Sequence, residues 1–389
     1  MDGGTRFHRQ EPCSRQPRLC IEANRSQEEE IMPSFNSIQS RVDDMTNYYG
    51  KSLSTSNDLK SNVCTIEETT SHREADVYAK LHPEVLSRSY GCGILVPPAL
   101  EGARVLDIGC GSGRDVFSLS QLVGQSGSVI GIDATQEPIT FAKRMTDWHM
   151  QVFGYDRPNV EFLVGTMEDL ATAGIEDNSV DVVVSNCAIN LSTAKERVLK
   201  EILRVLRPGG ELYFSDIFSD RRLDPSLRDD PVLVAECIGD VMYSGDFHSM
   251  MRDLGVREVR AVRSYRKIVR NEEFRRSIGR AQLESRLYRV FKLPLEDKCE
   301  DYGQAAVYLG TMDGHEQEFM LDDGHVFETG RAKLVCGNTA MMLADTRYAK
   351  HFRVFGDRSR HLGRFEDCAD PNPASDDSRV PVGRSSCCG

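Results

Sequence analysis

The chain has 389 residues, and its 48 Lys+Arg against 60 Asp+Glu leave a net charge of −12, which excludes a generally basic nucleic-acid binder. Hydrophobic residues make up 40% and charged residues 28%, the balance of a globular protein with ample core material, and no apolar run approaches the ~20 residues of a membrane span. The twelve cysteines are about 3% of the chain, below the ~8–10% of a disulfide scaffold; the N-terminus lacks a basic-then-apolar signal pattern, so a reducing, cytoplasmic setting with free thiols is expected.

Residues 1–40 are rich in Arg, Gln, Glu and Ser without apolar period and read as a disordered or loose arm. Arg6, Arg9, Arg15, Arg18 and Arg25 raise a transit peptide, which the acidic run Glu28–Glu30 opposes. Residues 41–99 read as a helical and loop segment carrying Cys64 and Cys92. From residue 100 short apolar runs alternate with amphipathic stretches. Arg104–Ile108, Ser128–Ile132, Val160–Val164, Val180–Ser185 and Glu211–Phe214 are predicted strands. Val198, Leu199, Ile202, Leu203 and Leu206 form one helical stripe, which Pro208-Gly209-Gly210 is expected to stop. This alternation predicts an α/β domain over 100–270, a parallel sheet with helices on both faces. Tyr302–Leu309 and Lys333–Cys336 suggest a smaller α+β domain over 271–363, and 364–389 reads as a flexible tail ending in Cys387-Cys388-Gly389. No internal repeat is visible.

Val105-Leu106-Asp107-Ile108-Gly109-Cys110-Gly111-Ser112-Gly113-Arg114-Asp115 follows the first strand and opens a helix. Glycines suit a sharp turn and a close approach of ligand to backbone. The spacing is Gly-x-Gly-x-Gly, not the Gly-x-Gly-x-x-Gly of dinucleotide binders. Asp107, placed before the glycines, would repel a pyrophosphate and welcome a cationic amino group. Asp133 closes the second strand, where a carboxylate can accept from both ribose hydroxyls. Thr166-Met167-Glu168-Asp169 follows the third, where acids can read an adenine amine. Together with Leu206-Arg207-Pro208-Gly209-Gly210, this arrangement resembles the class I S-adenosylmethionine-dependent methyltransferases. The resemblance implies a Rossmann-like sheet and a cofactor held by Asp107, Gly109, Gly111, Gly113, Asp115, Asp133, Met167, Glu168 and Asn186. A dehydrogenase and an inactive Rossmann-like domain are the competing readings.

Cys187 lies in Ser185-Asn186-Cys187-Ala188-Ile189-Asn190-Leu191, at the carboxyl end of the fourth strand, where ligands of open α/β sheets bind. Its plain reading is a small buried hydrophobe. Other segments add to it: Leu59-Lys60-Ser61-Asn62-Val63-Cys64, Tyr90-Gly91-Cys92-Gly93 and Ala235-Glu236-Cys237-Ile238-Gly239. With Val42-Asp43-Asp44, Tyr48-Tyr49-Gly50, Cys299-Glu300-Asp301-Tyr302-Gly303, Phe327-Glu328-Thr329-Gly330 and Lys350-His351-Phe352, they resemble the arsenite methyltransferases. The resemblance implies a methyl acceptor, trivalent arsenic, bound near an insert at Cys237, and methyl- and dimethylarsenic products. It makes Cys92, Cys187 and Cys237 the arsenic ligands, soft thiolates for a soft three-coordinate centre. Arsenic carries no proton to remove, so in-line attack needs no general base, and proximity does much of the work. The transfer leaves arsenic pentavalent; by the same resemblance Cys64 and Cys92 return two electrons by forming a disulfide, which thioredoxin or glutathione then reduces.

Tyr90 either sets its ring beside the sulfonium by cation–π attraction or packs at a domain seam. Cys387-Cys388 either holds arsenic transiently or is solvated tail, and Gly389 fits a prenylation signal poorly. Cys13, Cys20, Cys110, Cys336 and Cys368 receive no role, and Trp148 and His149 are expected to be structural. Val234 stands where relatives often have Trp. Asp240, an added acid near the thiols, is expected to raise their pKa and weaken metalloid capture. No Cys-x-x-Cys pair or His-x₃₋₅-His spacing supports a zinc site. Two further functions compete: methylation of an organic small molecule such as a quinone, which would need a base that Asn186–Asn190 does not offer, and non-catalytic metalloid sequestration.

Overall fold

The computed structural model describes residues 1, 35–49, 53, 55, 58–64, 72–91, 93 and 95–366. Cys13, Cys20, Cys92, Cys368, Cys387 and Cys388 lie outside the described residues, as do most of the expected arm and tail. Helix α1, Phe35–Asn47, begins inside the stretch read as arm. Ile38 and Met45, two turns apart on one face, are buried, and the helix packs on α7, Pro231–Ala235. Two short helices follow, α2 (His72–Tyr78) and α3 (Pro83–Ser87).

The main sheet then forms with its helices in alternation. β1 (Arg104–Ile108) is followed by α4 (Arg114–Val123), β2 (Ser128–Asp133) by α5 (Gln136–Phe153), and β3 (Val160–Val164) by β4 (Val180–Asn186). After β4 come α6 (Lys195–Val205), β5 (Leu206–Ser219), α7, β6 (Met242–Tyr243), α8 (Ser244–Asp253), β7 (Arg260–Lys267), α9 (Glu272–Ile278) and β8 (Leu283–Phe291). The sheet order is β3-β2-β1-β4-β5-β8-β7, with β6 on β5. The pairs from β3 through β5 are parallel, and β8 runs antiparallel to both β5 and β7. Chain order reverses between β1 and β4, and the crevice at the carboxyl ends of such neighbours is where ligands of open α/β sheets sit. Two apolar clusters cover the two faces, one around Leu106, Val183 and Phe214 and the other around Val105, Phe117 and Val182.

Two features differ from the sequence-based expectation. Helix α6 stops at Val205, and Leu206 opens β5 instead of completing the helical stripe. Leu206 pairs with Val180 and Glu211 with Val182, so Pro208-Gly209-Gly210 bulge out of a continuous strand. Gly209 is left-handed there at φ 78, and Pro208 is tolerated because a bulge asks it for no ladder N–H. The boundary expected near residue 270 falls within this sheet, between β7 and β8.

Beyond it lie β9 (Glu300–Asp301), β10 (Gln304–Tyr308), β11 (Glu318–Asp322), β12 (His325–Glu328), β13 (Ala332–Val335), α10 (Gly337–Ala344), β14 (Phe352–Phe355) and β15 (Gly363–Arg364). They form a three-stranded antiparallel sheet β13-β10-β14 and two strand pairs around their own apolar cluster. A buried ion cluster joins this lobe to the main sheet. Glu211 of β5, fully buried, pairs with Arg289 of β8 at 3.0 Å and with Arg347 after α10, and accepts from Tyr348 Oη at 3.3 Å. The Arg289 guanidinium lies over the rings of Tyr213, Phe291, Phe319 and Tyr348. Removing one partner leaves an uncompensated buried charge, which costs more than the pair's own net worth. Glu211→Ala is therefore expected to lose about 3–5 kcal/mol of unfolding free energy, measured by urea denaturation; a loss under about 1 kcal/mol, the scale of an exposed pair, would show that the cluster is not the joint between the two lobes.

Candidate active site

The glycine loop starts where β1 ends. Gly109, Gly111 and Gly113 all adopt positive φ (73, 51 and 87), a conformation costly for other residues. Each has a different surrounding. A Cβ on Gly109 would lie 2.4 Å from Ala188 Cβ, and one on Gly113 would touch the Phe162 and Phe117 rings, whereas one on Gly111 would meet nothing within 4 Å. The first and third glycines thus permit close packing of loop against neighbours, and the second is bare backbone facing open space. That space is a cavity of about 350 Å³, bounded by Gly109–Ser112, Asp133–Thr135, Met167-Glu168, Asn186–Ala188 and the N-terminal residues Tyr49, Cys64 and Tyr90.

The acids divide by what already occupies them. Asp133 accepts the Gly111 N–H at 3.0 Å and the Thr135 N–H at 2.8 Å, and burial raises its pKa despite those bonds. Glu168 accepts from Ser192 Oγ at 2.5 Å. Asp115 is held by Arg114 at 2.9 Å through both guanidinium nitrogens and by Asn186 Nδ2 at 2.8 Å. Asn186 Nδ2 also reaches the Gly93 carbonyl at 3.0 Å, so Asn186 links Gly93 to Asp115 while both Asn186 and Asp115 line the cavity. Asp107 is the exception: it is buried just behind the cavity wall, and its Oδ2 has no hydrogen-bond partner among the described residues. Burial, then the nearby Asp115 and Asp133, push its carboxyl well above the usual range. An orphan buried carboxylate beside a bare glycine backbone suits a ligand that brings an ammonium, as S-adenosylmethionine does.

At the other end of the cavity, Cys64, Cys187 and Cys237 bring their sulfurs within 4.8 Å of one another, all three buried. Cys64 and Cys187 line the cavity and Cys237 sits behind them. Their setting is apolar: Val63, Ile217, Leu233, Ile238 and Phe274 pack around them. Cys237 Sγ donates to the Cys187 carbonyl at 3.6 Å. Its thiol is pushed well above the ordinary cysteine value by a hydrogen bond with Cys64, by burial, and by the charges of Cys64, Asp216 and Glu236. Cys187 is in a disulfide, whereas Cys64 and Cys237 carry thiols.

Both Cys187 and Cys237 have left-handed backbone, φ 56 and φ 58. Residues with a Cβ seldom adopt it, and such strain gathers at functional sites. Cys237 follows α7 and its cap, the position where helices usually place glycine; Ile238 N and Gly239 N both bond back to the Leu233 carbonyl, closing the helix end. A cysteine standing where a glycine would be easier was a readable signal.

Of the residues expected to hold cofactor, Gly109, Gly111, Asp115, Asp133, Met167, Glu168 and Asn186 line the cavity, while Asp107 and Gly113 stand behind it. Tyr90 lies in the wall, its ring 5.1 Å from that of Tyr49. Cys64, expected as a redox partner, lies within the sulfur cluster, and Cys92 is outside the described residues. The expected harm from Asp240 is corrected: it pairs with Lys195 at 2.7 Å and Arg228 at 2.8 Å, and the acids that bear on Cys237 are Asp216 and Glu236. Sequence reading missed Thr135, Asp216 and Glu236. It was right to treat His149 as structural: the ring is buried and stacked 3.7 Å from Phe117.

The sheet order, the glycine loop and a match of residues 99–255 to the methyltransferase domain model make this a class I, S-adenosylmethionine-dependent methyltransferase. A second model, the arsenite methyltransferase C-terminal domain, matches residues 302–379. An arsenite methyltransferase of Aquipseudomonas alcaligenes is 46% identical over 342 residues, covering 88% of this chain and 98% of the relative. That of Rattus norvegicus is 41% identical over 315 residues, 79% of this chain and 84% of the relative. The crystal structure of an arsenic(III) S-adenosylmethionine methyltransferase from Chlamydomonas reinhardtii superposes with a TM-score of 0.74 at 42% identity, covering 77% of this chain and all (100%) of that one. The chain belongs to the arsenite methyltransferase family.

Two substitutions test the geometry. The unfolded chain holds Asp107 at an ordinary carboxylate pKa and the folded chain holds it higher, so the folded state binds more protons between the two values and loses stability as pH rises through that window. Asp107→Asn should therefore stabilise the cofactor-free protein near neutral pH by roughly 1–3 kcal/mol while weakening S-adenosylmethionine binding about tenfold or more, by calorimetric titration; weaker stability together with unchanged binding would contradict the assignment. At the strained cap, Cys237→Gly should be about 1 kcal/mol more stable than Cys237→Ala in urea denaturation, because only the alanine retains the left-handed penalty.

Proposed function

We propose that this protein transfers methyl groups from S-adenosylmethionine to thiolate-bound trivalent arsenic, giving methyl- and dimethylarsenic products in arsenic detoxification. The observation that carries the reading is the buried cluster of three cysteine sulfurs within 4.8 Å of one another at one end of the cofactor cavity. S-adenosylmethionine, when bound, supplies an electrophilic methyl group, and Asp107, the Gly109–Gly113 loop, Asp133 and Glu168 are the residues to hold it.

Arsenite enters as neutral As(OH)₃. Each thiol that captures it replaces one hydroxyl, and the thiol proton leaves with that hydroxyl as water, so three captures release three waters and no net proton. A hydrogen bond with Cys64, burial and nearby acids push the Cys237 thiol well above the ordinary cysteine value, which favours the protonated form this exchange uses. Cys187 must first be freed by a dithiol such as that of thioredoxin, or by two molecules of glutathione, either of which gives up two electrons as a disulfide forms. Three sulfur ligands leave the arsenic lone pair as the nucleophile, and the rigid cavity supplies orientation.

Methylation raises arsenic to the pentavalent state with one positive charge. Two sulfurs then leave joined as a disulfide, returning two electrons to arsenic, and a fourth cysteine thiol takes the vacated place with loss of its proton. Cys64, Cys92, Cys187 and Cys237 are enough for that balance: two oxidised, two still holding methylarsenic. Asp216, buried and raised to about 7, is not a base for an organic acceptor. Its oxygens accept from Asn190 N–H, Asn190 Nδ2 and Ile217 N–H, and it does not line the cavity.

Incubation with labelled S-adenosylmethionine, arsenite and a thiol should yield methylated arsenic. Cys187→Ser and Cys237→Ser should each abolish it while leaving S-adenosylmethionine binding intact; full turnover in either variant refutes the thiolate site.

A further inference from the structure

Two buried polar residues beside the thiols take no part in the chemistry above. Asn190 lies in the single helical turn Ile189–Leu191, three residues after Cys187, and is buried. Its amide is used on both sides. Nδ2 donates to Asp216 Oδ1 at 2.7 Å and to the Ile217 carbonyl at 2.6 Å, and Oδ1 accepts the Met242 N–H at 3.1 Å. Its backbone N–H donates to Asp216 Oδ2 at 3.1 Å. Asp216, on β5, is fully buried and also accepts the Ile217 N–H at 2.8 Å. Met242 opens β6, five residues after Cys237, and pairs with Phe218 of β5. One side chain thus joins the turn that follows Cys187, the far part of β5 and the strand that follows Cys237.

We infer that Asn190, held by Asp216, is a positioning residue for the Cys187–Cys237 pair, fixing the separation of the two sulfurs while arsenic is bound; this deepens the function proposed above and rests on it. Both cysteines have left-handed backbone, which persists only where surrounding contacts over-determine it. Each has ties of its own. Cys187 N donates to Ser215 O at 2.8 Å, and the closed end of α7 holds Cys237. Those ties fasten the two cysteines to different elements. A direct bond between their segments runs from Cys237 Sγ to the Cys187 carbonyl at 3.6 Å, and it uses the thiol proton. Arsenic capture removes that proton as water, so the bond is lost just when the two sulfurs must stay together. The Asn190 bonds involve no thiol proton and persist. Cys64 is moored separately. Gly91 N donates to its carbonyl at 3.2 Å, and the buried Glu236 carboxylate accepts from Tyr48 Oη, Lys60 N, Ser61 N and Ser61 Oγ.

Arsenicals that need two sulfurs or one separate this role from loss of structure. Methylarsonous acid has two replaceable hydroxyls and takes two thiolates, whereas dimethylarsinous acid has one and takes a single thiolate. In the reduced full-length protein, Asn190→Ala should weaken methylarsonous acid binding by about 10–100-fold, the usual loss when a group orienting a metal ligand is removed. Affinities for dimethylarsinous acid and for S-adenosylmethionine should stay unchanged. If Asn190→Ala does not fold, Asp216→Asn should lower the ratio of the two arsenical affinities in the same direction. Its amide has one oxygen for the three donors that face Asp216, so a donor is left facing a donor. Unchanged methylarsonous acid affinity overturns the inference, as does an equal loss for both arsenicals. Failure of the unaltered protein to bind methylarsonous acid at all would instead overturn the proposed function.

Discussion

Between β1 and β4 the register Asp107↔Val184 and Ile108↔Ser185 carries the two chains side by side into their loops. There Gly109 meets Ala188 so closely that a Cβ would lie 2.4 Å from the alanine methyl. This contact joins two chemistries. Gly109 begins the glycine loop that lines the cavity, and Ala188 follows Cys187, whose sulfur belongs to both cavity wall and sulfur cluster. Methyl transfer depends on reacting groups held at near-contact distance, and here that separation is built on backbone packing at a sheet's switch point. The strained turn at Cys187 is maintained by the same packing, together with the bond from its N–H to Ser215 O at 2.8 Å.

Around this seam the protein buries charge on a scale that an ordinary core avoids, and each case is handled differently. Glu211 is matched by two arginines and fixes the C-terminal lobe to the sheet. Asp115 is matched by Arg114 and accepts from Asn186. Glu236 is matched by neutral donors only. Asp107 has an oxygen, Oδ2, without a hydrogen-bond partner among the described residues, which costs stability.

Much of this was legible from residues. The β-branched runs at Val129–Ile132 and Val180–Val184 gave the parallel strands, and the acids at strand ends pointed to the cavity. Strand β8 was hidden because Arg286 and Arg289 interrupt its apolar pattern; Arg289 is buried in an ion pair with Glu211, and pairing between residues 78 positions apart leaves no local trace. Pro208-Gly209-Gly210 carried the right signal, a break in regular structure, but a break within a strand and a break between elements look alike in sequence. Asp240 misled for a similar reason: its nearness to Cys237 along the chain was visible, while the cations Lys195 and Arg228 that neutralise it were not. Glu236 reads locally as one more glutamate at a helix end.

The protonated state of Cys237 has a consequence for which visitors this pocket admits. A divalent metal ion such as zinc binds thiolates, so at this site it must displace a proton that the Cys64 hydrogen bond and burial help to hold. Arsenite carries the proton acceptor on its own oxygens. The hydrogen bond with Cys64 and the burial that hold the thiol above the ordinary cysteine value cost a neutral hydroxide no such proton release.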